Sequence, residues 1–211
     1  MASITVAILV VVDSPSAPPS AAKCVLPRAP SSTSQAAPER SLLSSFAVLR
    51  RAHEPGDYLA PPRYLSFNQE VFVRYIRRAQ VVAGTAYYVV PAIFTTCKPG
   101  PAYWGITFKE LAASGDGPGG ATLGPAARVD QHGLFLSSGN GGGSSSVAGL
   151  VPDPVASVTL SYPATTDQRA VNITAKVVGS TVVFSNIPGN ATIPWTSMIW
   201  RGVNGKIITR V

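Results

Sequence analysis

Hydrophobic and polar residues alternate with a period of two through the last third of the chain. Four segments there are rich in Val, Ile, Thr and aromatic side chains and are separated by Pro, Gly and Asn: residues 155–162, 170–178, 181–187 and 196–211. This alternation places every second side chain on one face of a sheet, and the intervening residue types end strands. The pattern predicts an antiparallel β-block over residues 147–211, with a hairpin at Asn204-Gly205 near its end.

Apolar residues follow a helical period between positions 41 and 79. One stripe predicts a short helix from Ser41 to Arg51, with two arginines at the end of the helix dipole that favours cations: Leu42, Leu43, Phe46 and Leu49. A second stripe predicts another helix, which begins near Ser66 with the spacing of a capping box to Gln69: Val71, Phe72, Tyr75, Ile76 and Ala79.

The middle of the chain changes to short β-candidates and loops. Residues 85–94 form a strand candidate in which Pro91 indicates an edge or a bulge, and further candidates lie at 104–109 and 132–136. Residues 111–125 are predicted as a loop. The Gly/Ser-rich residues 138–146 have the composition of a flexible linker or of a long hairpin loop, and both interpretations stay open.

These elements predict an α+β fold in which two short N-terminal helices pack on a mainly antiparallel β-sheet or small β-sandwich. The chain divides into a helical and strand-containing part at residues 41–137 and the β-block at 147–211. A unit of this second size is marginal for independent stability, so we expect the two parts to share one core.

The N-terminal segment has features of a targeting sequence. Residues 4–12 form an apolar run that is too short to span a bilayer but suits the core of a signal peptide, and Ser20-Ala21-Ala22 supplies small residues. A basic start is missing and Asp13 follows the run, so a buried strand is the alternative. Residues 1–22 are interpreted as signal-peptide-like, and the Pro/Ser/Ala-rich residues 23–40 as a disordered tether. The protein is expected to be secreted or at the cell surface.

Composition agrees with export and adds a charge imbalance. Charged residues make up 13% and hydrophobic residues 45% of the chain, and the net charge is +7 with a pI near 9.7. Such a balance favours weak contact with polyanions such as cell-wall polymers or membrane surfaces. A genome rich in Arg codons is the plainer explanation, because the basic residues are scattered. Nucleic acid is not an expected partner.

The two cysteines do not indicate a metal or haem site. Cys24 and Cys97 belong to no Cys-x-x-Cys or Cys/His cluster, so no metal or cofactor is assigned. Whether they form a disulfide is left open.

No set of residues in the sequence assembles a recognisable catalytic site. Gly115, Gly117 and Gly120 match a dinucleotide-binding spacing by letter, but their surroundings predict a loop and not a strand–helix unit, so no nucleotide is expected. Asp130 and His132 would share a face of a strand and are the alternative catalytic candidates, with a serine such as Ser144. No nucleophile elbow accompanies them, and no catalytic residue is assigned.

Three arginines are the one basic cluster on a predicted regular element. On a helix, Arg74 would lie beside Arg77 and Arg78, three and four residues away. These residues are the candidate anion-binding site, and a solvated helix face is the alternative. Asp153, between two prolines, is predicted to cap a turn. The tryptophans are either a carbohydrate platform or part of the core: Trp104, Trp195 and Trp200.

Two stretches of the chain resemble motifs of uncharacterised exported proteins of soil actinobacteria. Residues 41–51 (Ser-Leu-Leu-Ser-Ser-Phe-Ala-Val-Leu-Arg-Arg) resemble an opening motif of that group, and residues 149–160 are similar to its pattern G-x-V-P-D-G-V-A-x-V. Residues 171–208 resemble its ending, although those proteins carry a second cysteine shortly after the one that corresponds to Cys97. The resemblance covers most of residues 41–211. It implies export and the architecture above, and it assigns no activity.

The sequence therefore favours a noncatalytic exported or cell-surface protein of unknown ligand. One alternative is an exported hydrolase whose site is assembled from distant residues around Asp130 and His132. The other is a binder of anionic wall polymers through the arginine-bearing helix.

Overall fold

The computed structural model describes residues 32–59, 69–95, 102–112, 120–140, 144–164, 166, 169–187 and 195–210. Within these residues it contains thirteen strands in two sheets and three short α-helices. The signal-peptide-like segment, both cysteines and two glycines of the dinucleotide-like spacing, Gly115 and Gly117, lie outside the described residues. No helix in the described ranges combines the length and apolarity that crossing a bilayer requires.

The first sheet has six strands in the order β1-β2-β4-β5-β6, with β3 also paired to β4. The strands are β1 (Ser32–Ser34), β2 (Gln69–Phe72), β3 (Arg77–Val82), β4 (Thr85–Phe94), β5 (Tyr103–Ala112) and β6 (Ala121–Pro125). Strand β1 pairs in parallel with β2, and the other pairs are antiparallel. Strand β1 lies in the segment predicted to be a disordered tether, and β6 lies in the predicted loop at 111–125. The structure has paired strands at these positions, because main-chain hydrogen bonds order short segments that bury little apolar surface themselves.

Strand β4 is shared by two partners along one edge. Its first half pairs with β3 from Thr85 to Val89 and its last residues pair with β2, while β5 covers the whole opposite edge. A short 3-10 helix, Val73–Tyr75, separates β2 from β3. Pro91 falls at this gap, where no ladder partner needs its missing N–H. The proline therefore sits inside the sheet, opposite a break in the neighbouring strand, and not at an edge.

The second predicted helix is wrong, since residues 69–82 form strand, 3-10 helix and strand. Both faces of β2 are covered: Val71 is fully buried in one core cluster, and the Phe72 ring stacks on Trp104 with 4.9 Å between centroids. A strand buried on both sides has consecutive apolar residues, which mimic a helical stripe. Ser66, the predicted cap, lies outside the described residues.

The first predicted helix is divided. Helices α1 (Arg40–Ser45) and α2 (Ala47–Arg50) are separated at Phe46, whose backbone is extended with φ −129° and ψ 108°. The Phe46 side chain is fully buried. Burial of this ring in the core accompanies the local break of the helix.

The second sheet has seven antiparallel strands in the order β13-β12-β9-β10-β11-β8-β7. The strands are β7 (Leu134–Asn140), β8 (Ser144–Leu150), β9 (Ser157–Tyr162), β10 (Val171–Val178), β11 (Thr181–Ile187), β12 (Ser197–Arg201) and β13 (Ile207–Arg210). The strands predicted after residue 147 are confirmed in outline, and Gly205 has the positive φ of a tight turn, +74°. Within residues 138–146, the described residues belong to β7 and β8, which pair antiparallel.

One core joins the two sheets. Its members come from α1, α2, β4 and β5 on one side, from helix α3 (Ala126–His132), and from β7 and β8 on the other. Along β8, Val147 packs into a second core cluster formed by residues of the seven-stranded sheet. Ala148 and Leu150 pack into the shared core. The fold is therefore mostly β, with both sheets packed into a continuous interior.

Asp153 fastens the helical segment to the second sheet. Its carboxylate accepts hydrogen bonds from the N–H of Ala47 at the start of α2, from the Arg50 guanidinium at 2.5 Å and from the Ser180 hydroxyl at 2.9 Å. The predicted turn is present, but the side chain caps a helix distant in sequence and not its own turn. Its role is to connect three elements.

Candidate anion-binding pocket

A cavity of about 710 Å³ opens beside the 3-10 helix that separates β2 from β3. Its walls come from β1 and the residues after it, from the loop after α2, and from the 3-10 helix itself. The lining side chains combine two arginines, a histidine, two tyrosines and neutral polar groups: Thr33, Gln35, His53, Asp57, Tyr58, Leu59, Val73, Arg74, Tyr75, Ile76 and Arg77. These three segments are separated in sequence, and the pairing of β1 with β2 helps to bring them together.

A buried carboxylate forms the base of the pocket. Asp57 is 1% exposed and accepts hydrogen bonds from Arg51 Nη2 at 2.6 Å and from the N–H groups of Glu54 and Arg78 at 2.8 Å each. Arg77 Nε lies 4.0 Å from its second oxygen. Burial alone would raise the pKa of Asp57, but these donors together hold the pKa below its ordinary value. The group is therefore a charged and fully engaged carboxylate.

The Arg77 side chain holds the 3-10 helix in place. It is 5% exposed, and its Nε donates to the Arg51 carbonyl at 3.0 Å. Its Nη1 donates to the carbonyls of Arg74 and Ile76 at 2.8 and 2.9 Å, and the guanidinium lies 5.8 Å from the centre of the Tyr75 ring. Burial lowers the pKa of Arg77. Most of the hydrogen-bonding capacity of this residue is directed at the protein, so it positions the segment that carries Arg74.

Arg74 is the cation available to a ligand. Its side chain is exposed at the pocket, and no described residue accepts a hydrogen bond from it or pairs with its charge. Arg51, in contrast, is paired with both Glu54 and Asp57. Contacts with these carboxylates raise the pKa of Arg51, although burial alone would lower it. Three guanidinium groups thus meet two carboxylates, and the excess positive charge is at Arg74.

Aromatic and polar side chains surround Arg74. Tyr58 is 72% exposed and Tyr75 is half-buried, while His53 and Gln35 are exposed. The tyrosine rings offer flat apolar surfaces, and the imidazole and amide offer hydrogen bonds. Together with the free guanidinium they form a pocket suited to an anionic ligand that also has apolar faces.

The structure separates the three arginines that were predicted to share one helix face. Arg74 lies on the 3-10 helix, while Arg77 and Arg78 are consecutive residues of β3 and point to opposite faces. Arg78 is exposed and lies against Gly56, since a Cβ built on that glycine would be 2.1 Å from Arg78 Nη2. Arg78 does not line the pocket. Of the three predicted residues, the structure brings Arg74 and Arg77 to one pocket and leaves Arg78 outside it.

Asp130 and His132 lie on helix α3 and not on a strand. Both side chains are exposed. Residues two apart on a helix are separated by about 200° around its axis, so the assumption that they share a face is wrong. The predicted strand at 132–136 begins only at Leu134.

A second group of polar residues, unexpected from the sequence, lies between the sheets. Ser138 on β7 and Ser146 on β8 are hydrogen-bonded at 2.7 Å between hydroxyl oxygens, and they also contact Glu110 and Tyr87 respectively. Burial raises the pKa of Glu110, and burial with the nearby Glu110 charge raises the pKa of Tyr87 to about 12. Glu110 Oε2 is buried without a hydrogen-bond partner among the described residues. The signal in the sequence was a carboxylate directly after the apolar strand candidate at residues 104–109.

The tryptophans do not form a single platform. Trp200 is 2% exposed in the core of the second sheet, Trp104 stacks on Phe72, and Trp195 contacts the edge of Phe135. Trp104 and Trp195 pack against different core clusters. Among the described residues, no three His, Cys, Asp or Glu side chains are grouped as metal ligands would be.

Comparison of the chain with models of protein families, with curated proteins and with solved structures finds no match. The pocket is therefore interpreted from its own geometry.

Proposed function

We propose that this protein is a noncatalytic, exported binding protein that holds the anionic group of a saccharide in the pocket beside Arg74. The observation that carries the proposal is the Arg74 guanidinium, which has no acceptor among the described residues while Arg51 and Arg77 beneath it are engaged. A planar guanidinium binds carboxylate and phosphate groups through two parallel hydrogen bonds. The expected ligand carries one such group.

The size and lining of the pocket support a sugar as the rest of the ligand. Small-molecule sites commonly enclose about 300–1,000 Å³, and this cavity is about 710 Å³. Tyrosine rings stack on the apolar faces of sugar rings, as they do on other flat apolar surfaces. Thr33, Gln35 and His53 supply groups that hydrogen-bond with hydroxyls. Binding of this kind requires no reacting group, in keeping with a noncatalytic role.

Isothermal titration calorimetry with two acidic sugars tests the proposal. Galacturonate and glucose 6-phosphate should bind, and neutral galactose should bind at least about tenfold more weakly because it cannot pair with Arg74. Arg74→Gln should weaken binding of both acidic sugars by about tenfold or more. Arg128→Gln, which removes the same charge from an exposed position of α3, is the matched control and should leave binding unchanged.

Two results would contradict the proposal. If galactose bound as tightly as galacturonate, the anionic group would contribute nothing to the affinity. Equal affinities of the Arg74→Gln variant and the unaltered protein would show that the acidic sugars bind elsewhere.

Export is a separate part of the proposal and rests on the apolar run at residues 4–12, the low charge and the resemblance to exported proteins. Fractionation of cells that produce the full chain should place it in the medium or at the surface. Recovery in the cytosolic fraction alone would contradict export and leave the ligand proposal intact.

A further inference from the structure

The outward side of strands β9, β10, β12 and β13 forms a polar surface. Along β9 and β12 the inward side chains are buried in the core of the second sheet: Val158, Leu160, Met198 and Trp200. The outward side chains are exposed or half-buried and mostly polar, and we call their surface the hydroxyl face: Ser157, Thr159, Ser161, Asn172, Thr174, Lys176, Val178, Ser197, Ile199, Arg201, Ile207 and Arg210.

The strand register fixes how the cations of this face are arranged. Lys176 and Arg201 are both opposite Ser157, on the two strands that flank β9. Neighbouring strands lie about 4.8 Å apart, so the two cations belong to Cα positions about 10 Å apart in one row. Arg210 on β13 is opposite Ile199, which lies two residues before Arg201 on β12. The Arg201 guanidinium donates to the Gly205 carbonyl at 3.0 Å, which holds it along the hairpin.

The face has no negative charge of its own. Strands β7 to β13 contain no Asp or Glu, so Lys176, Arg201 and Arg210 have no carboxylate on the face to neutralise them. Protein surfaces usually intersperse both signs of charge. A regular surface of one sign attracts a polymer of the opposite sign.

The other side chains of the face indicate which polyanion fits. Serine and threonine hydroxyls with lysine and arginine are the side chains that contact phosphate oxygens in proteins. Thr159 and Thr174 are already hydrogen-bonded across the strands at 2.8 Å, and each hydroxyl oxygen keeps further capacity. None of the outward residues is aromatic, so the face lacks the stacking surfaces on which single-stranded nucleic acids depend.

We propose that the hydroxyl face binds an extended phosphate polymer that carries no bases. The phosphates contact Lys176, Arg201 and Arg210, and the hydroxyls between these cations donate to phosphate oxygens. This site is separate from the Arg74 pocket and does not depend on the function proposed for that pocket.

Binding of long-chain inorganic polyphosphate to the full chain tests the inference. The variant Lys176→Gln/Arg201→Gln/Arg210→Gln should bind about tenfold more weakly than the unaltered protein, and its affinity should depend less steeply on salt, since three charge contacts are lost. Biolayer interferometry at two or more salt concentrations measures both quantities. Thermal melting by circular dichroism verifies that the variant is folded.

The matched control removes three positive charges from exposed positions outside the face: Arg40→Gln, Arg128→Gln and Arg169→Gln. Its net charge equals that of the face variant, so it should retain most of the affinity if the arrangement of cations matters. An equal loss of polyphosphate affinity in both variants would overturn the inference, because net charge alone would then explain the binding.

Single-stranded DNA of the same number of phosphates decides between polymer classes. It should bind more weakly than polyphosphate, because its bases find no aromatic partner on the face. Tighter binding of the DNA, lost in the face variant, would overturn the base-free assignment in favour of nucleic acid.

Discussion

Replacement of Asp57 by asparagine tests whether the carboxylate under the pocket organises this part of the fold. The asparagine side chain would have nearly the same shape but no charge, and it would leave Arg51 and Arg77 beside a neutral group. Removing one partner of a buried ion pair commonly costs about 3–5 kcal/mol. The Arg51 side chain is 30% exposed, and solvent screens part of the loss. We therefore expect the free energy of unfolding to fall by about 2–3 kcal/mol.

Urea unfolding followed by tryptophan fluorescence measures this change through the midpoint and the slope. Asp130→Asn is the matched control, since it removes a carboxylate from an exposed position of α3. Exposed substitutions of this kind usually change stability by less than about 0.5 kcal/mol. The comparison separates the effect of the buried network from that of one lost negative charge.

The pH dependence gives the same prediction a second readout. Because the pKa of Asp57 is lower in the folded state, its stabilising contribution is present above the unfolded value of about 3.9 and is lost as the pH falls toward the folded pKa. The difference between the unaltered protein and Asp57→Asn should therefore shrink below about pH 4. A variant within about 1 kcal/mol of the unaltered protein at pH 7, or a difference that stays constant on acidification, would refute this account of the network.

Four further changes test other parts of the structure. Glu110→Gln should raise the urea midpoint at pH 7 and leave it unchanged near pH 3.5, because the raised pKa of Glu110 makes its ionisation above about pH 4.3 destabilising; a lower midpoint at pH 7 would contradict this. Asp153→Ala should lower the free energy of unfolding by about 2 kcal/mol in the same assay, since three donors lose their acceptor. An unchanged midpoint would show that these hydrogen bonds do not stabilise the fold. Gly149→Ala should lower the melting temperature seen by circular dichroism, because its Cβ would lie 2.3 Å from the Phe135 ring; an equal melting temperature would mean that the ring moves freely. His132→Ala should give the same result as the unaltered protein on a panel of ester, peptide and glycan substrates, and a turnover lost only in that variant would favour the hydrolase alternative.

Strands β9 and β12 of the seven-stranded sheet could be predicted because each has one buried face. Strands β9 and β12 alternate between buried and half-exposed positions, as an antiparallel sheet with one solvated side requires. Each such strand is recognisable from its own residues, and the Asn-Gly turn specifies its own geometry. The predicted and observed bounds of β11 are also identical, at residues 181–187.

The six-stranded sheet was harder to predict for the opposite reason. Strand β4 is buried on both faces from Ala86 to Ala92, so its sequence shows no alternation, and β2 is covered on both sides as well. The bounds of β4 were predicted correctly because β-branched and aromatic residues fill it. Strands β2 and β3 were predicted as a helix because their identity depends on pairing with β4, which no local pattern reports.

The pocket could be predicted only in part. Arginines at positions 74, 77 and 78 were identified as an anion site by residue type, but a sequence does not show which guanidinium groups are already occupied. Asp57 follows a Pro-Gly pair, and its partners Arg51 and Arg77 become its neighbours only through the fold. The residue proposed to bind the ligand is Arg74, whose guanidinium has no partner among the described residues, and identifying it requires the complete set of contacts.

The distribution of carboxylates along the chain is the reason why two separate anion-binding surfaces are proposed. The carboxylates Glu54, Asp57 and Asp153 are all used in ion pairs with arginines of the first half. The strands of the second sheet have cations but no carboxylates. Among the described residues, Arg74 and the cations of the hydroxyl face are positive charges that no carboxylate of the fold neutralises. Because these sites lie on different sheets, substitutions at one should change binding there and leave the other unaffected.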